Sequence, residues 1–333
     1  MAEAPISDLA SHLQSLLPTS SRSALRESVI PTLLQSISKV SSALHTSTKV
    51  SQVGTANAFG DDQLNVDVIA ENIIRKAIST CGSIVTASSE EDPVERPVCS
   101  GEGVEEKYTI AFDPLDGSSI IAPNWTVGTI IGIWDGASAL HQHPKNQIAA
   151  ILGVCGPRTT AIVAVRLPDC EDACFEVAIG DQTSSDTADV ALQVIRPSIR
   201  LLSPPFKTRY FAPANLRAAA ENPMYMELIK ILIREKYTLR YSGGLVPDIV
   251  HALVKGHGVY ISPVTAASKA KLRRLYELAP VALIVECAGG KALYAEGGRV
   301  LETAIEDTDE RGGLICGTRE EVMRVLVVFA GFG

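Results

Sequence analysis

The chain has no long run of basic residues, no Cys-x-x-Cys pair and no apolar stretch near the length of a membrane span. Each absence removes a class of function. With no basic run and a net charge of −8, nucleic acid and anionic membrane are poor partners. With no span-length apolar run, a transmembrane helix is not expected. The cysteines (Cys81, Cys99, Cys155, Cys170, Cys174, Cys287 and Cys316) are odd in number and scattered. Cys170 and Cys174 are the one close pair, and no histidine cluster accompanies them. Reduced thiols are expected, rather than a zinc site or a disulfide framework. Residues Met1 to Asp8 have no positive region and no apolar core, and the first basic residue is Arg22. Neither a secretory signal nor a transit peptide is expected, which makes the cytoplasm the default location. There is no internal repeat, and the only biased tract is a Ser-rich N-terminus.

What is present is an ordinary globular composition, 46% hydrophobic and 20% charged, with length enough for two domains or one large one. From Arg22 to Thr46, Leu25, Val29, Leu33, Ile37, Val40 and Leu44 recur at helical spacing, with Pro31 expected to kink or restart the helix. A second helix is expected from about Gln63 to Ser79. Strands are expected at Ser83–Ala87, Tyr108–Phe112, Val127–Trp134, Ile148–Val154 and Thr159–Leu167. Residues Ile179–Ala191 read as a loop or edge hairpin. After Pro204-Pro205, strand and helix alternate: helices at Met224–Lys236, Leu245–Val254 and Pro280–Cys287, strands at Tyr237–Tyr241 and Val259–Ser262. That alternation predicts an α/β layer arrangement.

The most informative run is Phe112-Asp113-Pro114-Leu115-Asp116-Gly117-Ser118-Ser119. A strand ending in Asp-x-x-Asp can aim two hard oxygen donors at one point. The Gly-Ser-Ser that follows can turn N–H groups and hydroxyls toward an anion. A metal beside a phosphate needs both, and magnesium binds through one or two carboxylates plus phosphate oxygens. Three further acidic groups join it: Asp61 with Asp67 near a helix start, Glu90-Glu91-Asp92 after a strand, and Glu277 in a segment carrying Lys271, Arg273 and Arg274. Singly, each has a plain explanation. Acidic clusters are mostly solvated, Asp61 can cap a helix, and Glu277 can pair with Arg273 or Arg274 at helical spacing. Placement favours function for the first three clusters, because acids at strand ends meet at one sheet edge. His141 and His143 lie outside every motif and are expected on a surface loop.

The run DPLDGSS at Asp113–Ser119 resembles the signature of the fructose-1,6-bisphosphatase and sedoheptulose-1,7-bisphosphatase family. Ser89-Glu90-Glu91, Gly60-Asp61 with Asp67, and Lys271 through Glu277 resemble its other motifs, in order, from about residue 20 to 328. DPLDG alone is shared with the wider inositol-phosphatase superfamily. The sedoheptulose branch is the better match. It resembles this chain at Asn124–Ile130, Gly156–Thr160, Pro213–Ala218 and Tyr237–Gly244. The fructose branch has a tyrosine where this chain has Ser262 and another near the position of Ala218, both helping to hold the sugar's distal phosphate. Two departures stand out. Ala122 replaces a usual aspartate, and Val53–Asn57 lacks the cysteine pair of plastid members, so a thioredoxin switch is not expected. Lys107-Tyr108 resembles a nucleotide-contacting pair, but an ordinary strand start is the preferred reading.

The resemblance implies a mixed α/β (α+β) fold, a layered α-β-α-β-α sandwich of two mixed sheets. It implies an N-terminal domain over 1–200 with the metal carboxylates and allosteric-type helices, and a sugar-phosphate-binding domain over 201–333. It also implies two to three magnesium ions, or manganese in their place, on Glu90, Asp113, Asp116, Glu277, the Leu115 carbonyl and Asp61. Glu91, Asp67 and Glu90 would be catalytic. Asp116, Gly117, Ser118, Ser119 and Arg273 would grip the reacting phosphoryl group. Asn215, Arg240, Tyr241 and Lys271 would hold the remote phosphate. The activity implied is removal of the 1-phosphate of sedoheptulose 1,7-bisphosphate by a homodimer or homotetramer. Fructose-1,6-bisphosphatase activity, or sugar-phosphate binding with weak catalysis, remain the alternatives.

Overall fold

A computed structural model describes residues 7–17, 21–56, 62–168, 170–180 and 190–331. Among these, nine strands form one mixed sheet. Its spatial order is Ser7–Asp8, Leu192–Arg196, Ala173–Ile179, Thr159–Val165, Gln147–Cys155, Val127–Asp135, Tyr108–Asp116, Ile84–Ser89 and Arg96–Pro97. All neighbours are antiparallel except Ile84–Ser89 and Tyr108–Asp116, which run parallel. The acids at the C-terminal ends of these two strands, Asp113 and Asp116 in one and Glu90 and Glu91 just after the other, therefore lie at the same end of the sheet. A second mixed sheet orders Thr238–Leu239, Tyr210–Pro213, Val259–Ser262, Leu314–Gly317 and Lys291–Tyr294.

Strand alternation sorts the layers. Tyr108, Ile110 and Phe112 face the helices Ile30–Thr46 and Asn65–Ile78. Ala111, Ile130, Leu152 and Ile162 face the helices Leu245–Lys255 and Ala279–Cys287, whose other sides meet Ala212, Tyr260, Leu314 and Cys316 of the second sheet. Phe211, Val259, Ile261 and Ile315 cover the outer helices Pro223–Arg234 and Arg319–Phe329. The result is the expected α-β-α-β-α sandwich. The helix Ala279–Cys287 has a sheet on both sides, so every residue but Glu286 is buried and it has no polar face.

The N-terminal helix comes in two pieces, a π-helical turn over Leu25–Val29 and an α-helix from Ile30. Pro31 sits in the first α-turn, where a missing N–H costs little. Tyr237–Tyr241 contributes only a two-residue strand, Thr238–Leu239. Ile179 pairs with Leu192 across an antiparallel edge, and residues 181–189 between them lie outside the described residues. The exposed His141 bonds Glu306 at 2.7 Å. All seven cysteines are free. No helix among the described residues is long and apolar enough to cross a membrane.

Candidate active site

In a regular strand, residues three apart point to opposite faces. Asp113 and Asp116 escape this because the strand bulges between them. Asp113 lies opposite Ile130 and Asp116 opposite Gly128, so three steps on one strand oppose two on its neighbour. The bulge is pinned from inside. Leu115 N–H donates to Asp113 Oδ1 at 2.9 Å, and the Thr129 hydroxyl donates to the Pro114 carbonyl at 3.0 Å. Gly117 then turns the chain with φ +94°, a conformation that favours glycine.

Asp116 is held by the helix that starts at Leu245. Its two oxygens accept from the backbone N–H groups of Leu245 (3.0 Å) and Val246 (2.7 Å). The helix comes this close because residue 128 is glycine. A Cβ there would lie 2.4 Å from Val246 Cβ. Asp248, one turn on, accepts from Ser242 N–H at 2.7 Å and so fixes the loop that leads into the helix. Glu277 arrives from a π-helical turn, Arg274–Leu278, and accepts from the Arg273 backbone N–H at 2.6 Å. Its partner is thus a backbone amide of the same turn.

These elements bring one carboxylate oxygen each of Asp113, Asp116 and Glu277 within 4.8 Å of one another. All three side chains are buried. Burial, then the charges of Glu90, Glu277 and Asp116, push the Asp113 carboxyl well above its usual range. Glu277 is pushed up by burial and then by Glu90. Burial lifts Asp116 to about 6, against the pull of the two amides. Converging buried carboxylates must bind protons or a cation. A hard divalent cation fits this all-oxygen set, and the Leu115 carbonyl lies within the same bulge.

Glu90 is fixed by its own N–H, which donates to the Phe112 carbonyl at 3.0 Å. Its carboxylate is ion-paired with Arg273, whose Nε is 3.7 Å from Asp309. Arg273 thus sits among the acids with its charge already on one of them. Glu91 accepts from the Gln63 side chain. Asp67 caps its own helix by accepting from Leu64 N–H at 2.8 Å. Burial, with Glu91 adding, raises its carboxyl to about 6. The Ser118 hydroxyl donates to the Leu115 carbonyl at 3.3 Å, and Ser119 is exposed. Asp61 lies outside the described residues.

The residues expected on the remote phosphate are spread more widely. Arg240, Tyr241 and Lys271 are exposed. Arg240 lies over the Tyr210 ring at 5.8 Å and bonds the Leu239 carbonyl at 2.7 Å. The Asn215 amide donates to the Pro263 carbonyl at 2.7 Å, which ties it to the 263–268 loop. Ala122 is exposed on the wall of a cavity of about 1390 Å³ whose lining includes none of the cage carboxylates. Tyr108 is committed to structure. Its hydroxyl donates to Glu106 at 2.6 Å and accepts from Arg22 at 3.4 Å. Sequence reasoning missed Gln63, Asp248 and the Leu245 and Val246 amides. Only Asp248 left a signal, an acid one turn inside a helix that follows Gly243-Gly244.

The family model for the fructose-1,6-bisphosphatase N-terminal domain matches residues 19–182, and that for the C-terminal domain matches 205–330. The chain is 38% identical over 278 residues to the chloroplastic sedoheptulose-1,7-bisphosphatase of Triticum aestivum, covering 81% of this chain and 65% of that one. It therefore spans just under two thirds of that relative's length. It is 35% identical over 274 residues to the class 1 fructose-1,6-bisphosphatase of Syntrophotalea carbinolica, covering 81% and 78%. A solved Toxoplasma gondii structure, provisionally designated a sedoheptulose-1,7 bisphosphatase, matches with TM-score 0.84 at 34% identity, covering 98% of this chain and 99% of that one. The two family models together cover most of the chain, and the fold matches: the chain belongs to the fructose-1,6-bisphosphatase family.

Proposed function

We propose that this protein removes the 1-phosphate of sedoheptulose 1,7-bisphosphate by metal-assisted hydrolysis. The observation that carries the reading is the cage of Asp113, Asp116 and Glu277, three buried carboxylates with oxygens within 4.8 Å. The cage and Glu90 would hold two to three magnesium ions, or manganese, with Asp61 and the Leu115 carbonyl as further oxygens. Bound there, the metal supplies Lewis-acid stabilisation of the oxygens of an in-line displacement and a more acidic water. The chain's own groups do the rest. Glu91 and Asp67, on facing elements, orient the attacking water and accept its proton. The Gly117–Ser119 turn and Arg273 steady the phosphoryl oxygens, with the Arg273 guanidinium shifting from Glu90 to the substrate. Arg240, Tyr241, Lys271 and Asn215 hold the far phosphate, and that binding is spent on aligning the near one.

The sedoheptulose branch is favoured over fructose because this chain has Ser262 where the fructose branch has a tyrosine, and lacks a second tyrosine near Ala218, which argues for a different distal pocket. The division into 1–200 and 201–333 places Glu277 and Arg273 on the second segment, so both contribute to one centre. A homodimer or homotetramer, and a reducing cytoplasm that suits seven free thiols, complete the proposal. The test is phosphate release with magnesium from both bisphosphates and from inositol monophosphate. Preference for the seven-carbon substrate is expected. Equal or better turnover of the fructose substrate would reject the branch, and no release from any would leave a sugar-phosphate-binding protein.

A further inference from the structure

Behind the carboxylate cage lies a second polar assembly that the reaction above does not use. The helix Asn65–Ile78 carries Asp67, Glu71 and Arg75 at successive four-residue steps, so all three share one face. Asp67 looks into the site, and the next two grip the chain that carries Glu90 and Glu91. Glu71 Oε1 accepts from Arg75 Nε at 2.7 Å and from the Ser89 hydroxyl at 2.8 Å. Arg75 reaches past it to the Ser89 hydroxyl (3.4 Å), the Asp92 carbonyl (3.5 Å) and the Ala87 carbonyl (3.5 Å). Its guanidinium also lies 5.5 Å over the Phe112 ring, on the neighbouring strand. The turn closes on itself through Ser89 N–H to the Asp92 carbonyl (3.1 Å) and Asp92 N–H to the Ser89 hydroxyl (3.0 Å).

The Ser89 hydroxyl is the knot. It donates to Glu71, and it accepts from the Asp92 N–H and from Arg75. A hydroxyl has one proton and two lone pairs, so this set is complete. The cost is high for a merely structural contact. Glu71 is mostly buried, and its Oε2 has no hydrogen-bond partner among the described residues. A buried ion pair of this kind is weak evidence for stability, because desolvation offsets its attraction. Its geometry is specific, however. One residue beyond the knot, Glu90 turns toward Arg273, and its charge acts on Asp113 and Glu277. The next, Glu91, turns the opposite way toward Gln63 and Asp67. Adjacent side chains can face two parts of one site only if the turn that bears them is fixed.

We propose that Glu71 and Arg75 are positioning residues that lock the Ser89–Asp92 turn, so that Glu90 faces the metal cage and Glu91 faces Asp67. The inference rests on the reading of Glu90 as a metal ligand. Groups that orient metal ligands commonly account for tenfold or more in metal affinity. A purely structural role would lower stability and leave metal affinity alone.

The experiment combines two measurements on the full chain, in wild type, Glu71→Gln and Ser89→Ala. The first is Mn²⁺ binding without substrate, followed by electron paramagnetic resonance. The second is hydrogen exchange of the peptide spanning Ser89–Asp92. Glu71→Gln is expected to weaken Mn²⁺ binding by about tenfold and to speed exchange in that peptide selectively. Ser89→Ala removes only the hydroxyl, so it keeps the test alive should Glu71→Gln misfold, and it should reproduce both effects. In steady-state assays kcat should fall while KM for the bisphosphate stays within about twofold. Unchanged Mn²⁺ affinity and unchanged exchange in both variants would overturn the clamp. Wild type that binds no Mn²⁺ would instead reject the metal reading, while the exchange data would still judge whether the turn is locked.

Discussion

Two of the clusters in which this fold buries acidic side chains settle the charge differently. On the outer face of the small sheet, Glu321 accepts from Arg209 at 3.2 Å and from the Tyr237 hydroxyl at 2.6 Å. Arg324 bridges Glu235 and Tyr237, and its hydrogen bond, with its charge adding, holds the Glu235 carboxyl below its usual range. Two glutamates meet two arginines, and the cluster closes its own charge. At the edge of the large sheet, Asp113, Asp116, Glu277, Glu90, Glu91 and Asp67 meet Arg273, with acids in clear excess. There burial raises the carboxyls, and neighbouring acids push Asp113, Glu277 and Asp67 up further. A closed ionic cluster is scaffold; one left open toward a cation is a site.

The comparison breaks most sharply at Asp113. Asp113→Asn keeps an acceptor for Leu115 N–H and removes one cage charge. Phosphate release should fall on the order of 10³-fold. Chelated protein should be as stable as wild type or more so in urea, because an uncompensated charge has gone. Loss of stability with activity retained would make the cage scaffold instead.

The next effect is a pH dependence. Folding raises Asp67 from 3.8 to about 6, so the folded state holds a proton that the unfolded chain has lost. Its stabilising contribution is complete below about 3.8 and gone once the pH passes about 6. Each tenfold change in proton affinity is worth about 1.4 kcal/mol, which makes this contribution about 3 kcal/mol. Chelated Asp67→Asn should therefore gain on wild type by up to that amount between pH 4 and pH 7, by urea denaturation. A constant difference would mean that Asp67 is not buried as described.

The smallest effect belongs to the closed cluster. Arg209→Met leaves Glu321 short of one partner. It should cost about 2 kcal/mol, below the value for a fully buried pair because Arg209 is one third exposed. Magnesium activation should not change. A shift there would couple the two clusters.

The carboxylates of the site were legible because strand-end acids and a Gly-Ser-Ser turn are local signals. Asp113, Asp116 and Glu90 needed only the strands before them. The rest depends on long-range geometry. The bulge that turns Asp113 and Asp116 to one side is set by pairing with Gly128, and the amides on Asp116 come from Leu245 and Val246. Four-residue strands such as Tyr210–Pro213 and Leu314–Gly317 are too short to show a period. They owe their state to neighbours in the sheet.

At the sheet edge, acids in excess leave room for a cation. The direct measurement is calorimetric titration of Mg²⁺ into chelator-stripped protein at pH 7.5, without substrate, for wild type, Asp113→Asn and Arg209→Met. Saturable binding to wild type and Arg209→Met, lost in Asp113→Asn, is expected. Binding that survives Asp113→Asn unchanged, or no binding to wild type, would contradict it.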